Sequence, residues 1–147
     1  MPLIHLMYAS RLDQRLAAPP ALAELLDKAR RFNADNGITG MLLISEQHCF
    51  QVLEGDPDIV DALYAKISLD PRHRDVCLAM RERVVRRNFA DWSMGEAHAD
   101  ASELRDVAGL EGFLTRDTTA VSLGAPQALA LLDALHRHQH WRRQPVA

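Results

Sequence analysis

Leu3 to Ala9 is an apolar run that reads as a strand, whose period of two divides it between two faces. Ile4, Leu6 and Tyr8 fall on one face and Leu3, His5 and Met7 on the other. Ser10 to Ala18 is polar and reads as a loop. Pro19-Pro20 then opens a helix, because a first-turn proline forfeits no hydrogen bond, and Leu22, Leu25, Leu26, Ala29 and Asn33 recur on one stripe. Asn36-Gly37 tolerates positive φ and ends it. The apolar run Ile38 to Ile44, the polar Ser45-Glu46-Gln47 and the second run His48 to Gly55 read as a hairpin. Asp56 can cap a second helix that starts at Pro57, carries Ile59, Leu63, Lys66, Ile67 and Asp70 on its inward stripe, and must stop at Pro71. Val76 to Val85 reads as a long strand, with Cys77, Ala79, Arg81 and Arg83 alternating against Val76, Leu78 and Met80. A short fifth strand is expected over Trp92 to Ala97.

Beyond Ala101 the periodicity turns helical. Leu104, Val107 and Ala108 fit a short helix, Leu110, Phe113 and Leu114 form a further apolar cluster, and Ala128, Leu131, Leu132 and Leu135 face inward on a helix from Pro126 to about His140. The order strand, helix, strand, strand, helix, strand, strand predicts an α+β, ferredoxin-like βαββαββ sheet with two helices on one face. The C-terminal helices are expected to cover the other face, which would otherwise expose too much apolar surface. On this reading residues 1–98 form the core domain, and 99–147 a helical extension of the same globular unit.

Composition narrows the function classes. A chain of 147 residues is one domain, short for a sensor joined to a separate effector enzyme. A formal charge of −3 and 5% aromatic residues argue against nucleic acid as a partner. Met1-Pro2-Leu3-Ile4-His5 lacks a basic leader, and no run reaches the roughly 18 apolar residues of a membrane span, so a cytoplasmic protein is expected. Cys49 and Cys77 fall in expected strands and read as small buried hydrophobes rather than a disulfide framework.

The chemistry centres on Gln51, an amide in the apolar stretch Phe50-Gln51-Val52-Leu53-Glu54-Gly55. Burying an unpaired amide costs about 1–3 kcal/mol, so Gln51 requires a partner. In a ferredoxin-like sheet the first and third strands are neighbours, which puts Tyr8 beside Gln51 on the helix-facing side. Asn33 from one helix and Lys66 and Asp70 from the other then point into the groove between them, with Lys66 and Asp70 four apart and able to pair. Apolar walls from Leu25, Ile67 and Phe50 complete a flat slot suited to a planar heteroaromatic ligand with carbonyl and imide edges. Taken singly, Asn33 or Gln51 is more often a structural network member, Trp92 a core residue, Met94 a gap-filler and His73 a surface loop residue. His136 and His140 share a helix face, His138 does not, and a metal site is not expected there. A small hydrolase of the acylphosphatase type would need a glycine-rich anion loop where Ser10-Arg11-Leu12-Asp13 stands; a ligand-free interaction module is the remaining alternative.

Five blocks in order, Leu6-Met7-Tyr8-Ala9-Ser10, Asn33 to Gly40, Phe50 to Gly55, Asp70-Pro71-Arg72-His73 and Arg87 to Met94, resemble the BLUF family of blue-light sensors that use FAD. The likeness covers roughly residues 2 to 97. It implies a non-enzymatic photoreceptor with FAD between the two helices and Gln51 bridging Tyr8 and the N5/C4=O edge of the flavin. Asn33 would bond the ring carbonyls, Asp70 the imide or ribityl side, and Lys66 and His73 the polar edge or ribityl chain. Many members carry Arg where Lys66 stands, and Lys lacks the planar fork. The resemblance further implies electron and proton transfer from Tyr8 under blue light and a rotated or tautomerised Gln51. Trp92 and Met94, on the same parity of the last strand, would compete to pack near it and pass the signal through the C-terminal helices to a partner protein or a change in self-association, a homo-oligomer being expected.

Overall fold

The computed structural model describes residues 2–13, 19–46, 48–105, 125–138 and 141–143. The expectations for Val107, Ala108, Leu110, Phe113, Leu114 and His140 lie outside them. Strand β1 (Ile4–Leu12) is followed by helix α1 (Pro19–Asn36), the hairpin β2 (Thr39–Ser45) and β3 (His48–Gly55), helix α2 (Pro57–Ser68) and the long strand β4 (His73–Arg83). Strand β5 (Gly95–His98), the short helix α3 (Ala101–Arg105), helix α4 (Ala125–Arg137) and the two-residue strand β6 (Arg142–Arg143) complete the chain.

Local chemistry sets the boundaries. Gly37 takes φ +68, the left-handed conformation that closes α1. Asp56 caps α2 by accepting from the Asp58 N–H at 2.9 Å, and Pro57 occupies the first turn. Because α2 ends at Ser68, Asp70 lies beyond the helix rather than on its stripe.

The sheet order is β4-β1-β3-β2-β5-β6, the ferredoxin-like arrangement of the first four strands extended by β5, which runs parallel to β2. Residues alternate between two cores. Ile4, Leu6, Tyr8, Leu42, Ile44 and Leu53 pack with Leu22 and Leu26 of α1 and Val60 of α2. Met7, Ala9, Met41, Leu43, Phe50 and Val52 pack on the other face with Ala128, Leu131, Leu132 and Leu135 of α4, and with Trp141. The C-terminal helix thus covers the second face, as the pattern implies. Strand β1 runs three residues past Ala9, so Ser10 and Leu12 are strand rather than loop.

Strand β4 departs from the alternation read in the sequence. Its pairing with β1 shifts between Met7 and Tyr8 and again between Ala9 and Arg11, where Asp75 adopts φ +55. Each irregularity inserts a residue and reverses the facing of the residues after it. Val76 therefore packs in the helix-side core while Met80 packs in the other, and His73, opposite Leu12, returns to the helix side.

Candidate functional site

Tyr8 and Gln51 are direct partners across β1 and β3. The Tyr8 hydroxyl, wholly buried, donates to Gln51 Oε1, and Gln51 Nε2 donates to Met94 Sδ at 3.3 Å. Burial, with smaller contributions from Cys49, Tyr64 and Asp70, raises the Tyr8 phenol well above its ordinary value and keeps it protonated. A thioether is a weak acceptor, so one side of the Gln51 amide is firmly held and the other loosely.

Gln51 lies on the floor of a cavity of about 280 Å³ between α1 and α2. Leu12, Leu25, Leu26, Leu42, Leu63 and Ile67 supply its apolar walls, and Asn33, Asp70 and His73 its polar groups. Lys28, Lys66 and Arg72 also line it, three cations around a largely apolar slot. Leu25, Asn33, Gln51, Lys66, Ile67, Asp70 and His73 all line this one cavity. Phe50 does not: one residue from Gln51 on a strand, it points to the opposite face and packs with the α4 core.

Two further expectations are corrected. Lys66 and Asp70 do not pair. Asp70 takes a bidentate contact from Arg72, Nε and Nη2 at 2.6–2.9 Å, which depresses its carboxyl to about 2, while Lys66 Nζ stands 6.0 Å over the Phe32 ring. The planar guanidinium fork matches a carboxylate better than an ammonium does. Trp92 and Met94 do not share a surface either. Both precede β5 in irregular backbone; Met94 is buried beside Gln51, whereas Trp92 packs against the other core, where a Cβ added at Gly95 would strike it and Met41.

The segment carrying Met94 is tied to the site by its backbone. Asn33 Nδ2 donates to Ser93 O at 2.7 Å, Arg30 Nε to Met94 O at 2.9 Å, and Gly40 N to Trp92 O at 3.0 Å. Upstream, Glu54 accepts from Asn88 N at 2.5 Å, Phe89 N at 2.9 Å and Thr39 Oγ1 at 3.0 Å. Arg87 donates to Thr39 Oγ1, Glu54 O and Gly37 O at 2.8–3.1 Å. Reading the sequence alone misses Glu54, although a carboxylate in an apolar strand is the same signal that singles out Gln51. It misses Ser10 because the polar run after Ala9 looks like the end of the strand.

The narrow cleft between α1 and α2, floored by a phenol–amide pair, suits a bound ligand, and Ser10 to Leu12 continue β1 where a hydrolase of the acylphosphatase type would need an anion loop. The BLUF family model, "Sensors of blue-light using FAD", matches residues 3–95, and the chain belongs to that family. Photoactivated adenylate cyclase subunit beta-like protein FB of Euglena gracilis is 36% identical over 97 residues, 65% of this chain but 11% of that protein. The dark-state structure of BlrB, a BLUF protein, superposes with a TM-score of 0.70 at 32% identity, covering 92% of this chain and 96% of that one. The ground state of BlsA gives 0.75 at 26% identity over 90% and 87% of the two chains. The chain is a blue-light sensor domain of a flavin-binding family. Among the described residues no helix is long and apolar enough to cross a membrane.

Proposed function

We propose that this chain binds FAD in the cavity between α1 and α2 and that Tyr8, Gln51 and Met94 form its light-responsive unit. The observation that carries the reading is the buried hydrogen-bonded series from the Tyr8 hydroxyl through the Gln51 amide to the Met94 thioether, bordering a cavity with the apolar walls and polar edges that an isoalloxazine requires. Asn33, Asp70, Lys66 and His73 would hold the ring and ribityl chain, with Leu25 and Ile67 on its faces. Lys28 and Arg72, with Lys66, supply positive charge for the phosphates.

The flavin, when bound, absorbs blue light and provides an excited-state electron acceptor. Tyr8 would give up an electron to it and its hydroxyl proton by way of Gln51 Oε1, the acceptor of its hydrogen bond, and both would return to Tyr8 on recombination, leaving no net redox change. Gln51 then exchanges its donor and acceptor ends, by rotation or tautomerisation, and releases Met94 Sδ. Loss of that contact loosens the Trp92–Met94 segment and, through β5, the α4 layer. Output passes to a partner protein or through self-association. The photoactivated adenylate cyclase relatives and Klebsiella pneumoniae BlrP1, solved with FMN and cyclic diGMP, suggest nucleotide-signalling effectors. Absorption spectra before and after blue illumination test the proposal: a flavin band that shifts to the red on illumination is expected, and a protein that stays colourless when reconstituted with FAD would overturn it. Tyr8→Phe is expected to keep the yellow colour and lose the shift altogether.

A further inference from the structure

Behind Tyr8 lies a polar series that the light-responsive unit does not use. Ser10 is fully buried, and its Oγ lies 3.0 Å from His73 Nδ1. Ser10 is also paired across the strands with Cys49. The His73 ring stands edge-on to Tyr8, 6.2 Å between centroids, and lines the cavity, so Nε2 is the nitrogen left for a ligand. This placement depends on the irregularity at Asp75, which turns His73 from the α4 side to the cavity side.

The partners set the protonation pattern. Burial holds the neighbouring Cys49 thiol up at about 12, so it stays protonated. Thiol sulfur is a poor acceptor and an imidazole nitrogen a good one, so the single Ser10 hydroxyl hydrogen goes to Nδ1. Burial also lowers the His73 basicity, while Asp70 and Arg72 beside it act in opposite directions, favouring a neutral ring at pH 7. We propose that Ser10 is a positioning residue that holds His73 in the Nε2–H tautomer, presenting a neutral hydrogen-bond donor to an acceptor oxygen of the flavin. The choice of ligand rests on the flavin reading above; the tautomer does not.

The test is nitrogen NMR of histidine-labelled protein at pH 7, with FAD bound and after its removal, the His73 signal being assigned by its loss in His73→Gln. The expected result is a protonated Nε2 and an unprotonated Nδ1 in both samples, loss of that preference in Ser10→Ala, and its return in Ser10→Thr, which restores the hydroxyl. FAD should bind Ser10→Ala about tenfold more weakly, the effect of one misdirected neutral hydrogen bond. A protonated Nδ1 in the wild-type chain, or an unchanged tautomer in Ser10→Ala, would overturn the proposal. Should Ser10→Ala not fold, the wild-type and Ser10→Thr tautomers still decide it. A protein that binds no flavin yet shows protonated Nε2 would remove the flavin reading and leave the Ser10–His73 assignment standing.

Discussion

Strand β3 carries two buried polar side chains three residues apart, facing opposite sides of the sheet. Gln51 looks toward the cavity and Glu54 toward the α4 side, with exposures of 7% and 0%. Glu54 is fixed: a charged acceptor with two backbone N–H groups and a hydroxyl around it has no second arrangement of comparable energy. Gln51 is poised. It can accept or donate at either end, and a thioether is easily replaced as its partner. Both residues act on one segment. Glu54 anchors Asn88 and Phe89, while Gln51 holds Met94, so residues 88–94 run from a locked end to a switchable one. A buried polar group serves stability when its partners are saturated and signalling when one of them is weak.

The largest expected effect is on the locked end. Glu54→Ala leaves two N–H groups and the Thr39 hydroxyl without their acceptor and should cost about 3–5 kcal/mol in urea unfolding. Gln51→Leu, by contrast, strands only the Tyr8 hydroxyl and should cost about 1–3 kcal/mol while abolishing the light-induced shift. Equal destabilisation by the two would erase the distinction. Next comes Met94→Leu, a volume-conserving change that removes the sulfur acceptor. The dark orientation of Gln51 loses a weak hydrogen bond, so thermal recovery after illumination should slow by about two- to fivefold. Unaltered recovery would show that the sulfur contact does not hold the amide.

The smallest effect concerns the cavity mouth. Asp70 has a folded value of about 2, below its unfolded 3.8, so the pair with Arg72 contributes stability above pH 3.8 and loses it as pH falls toward 2. Because both side chains are partly solvated, at 22% and 47% exposure, the contribution is less than about 1 kcal/mol. Asp70→Asn should flatten unfolding free energy over that window while leaving it unchanged at pH 7 to within the same amount.

Most elements are legible in the chain because period and punctuation agree: proline at the start of both α1 and α2, Asn36-Gly37 at the end of α1, two apolar runs around a polar turn. Tyr8 beside Gln51 needs only one topological step, the adjacency of first and third strands. The features that escape lie where a local rule is broken by one residue. The inserted residues in β4 carry no clear signal in the sequence, yet they decide that Met80 leaves the helix side and His73 joins it. Phe50 is misplaced when neighbours in sequence are treated as neighbours in space, because a strand sends them to opposite faces.

The sequence by itself determined the order of elements, the two apolar faces and the residue types of the site, since these depend on short-range sterics and on hydrophobic period. Only the tertiary structure decided that Arg72 would take Asp70 and the Met94 sulfur the second end of Gln51, and on which side Trp92, Met94 and His73 would stand. Those choices are made between groups distant in the chain, where hydrogen-bond geometry and bulge placement separate alternatives that look alike in one dimension.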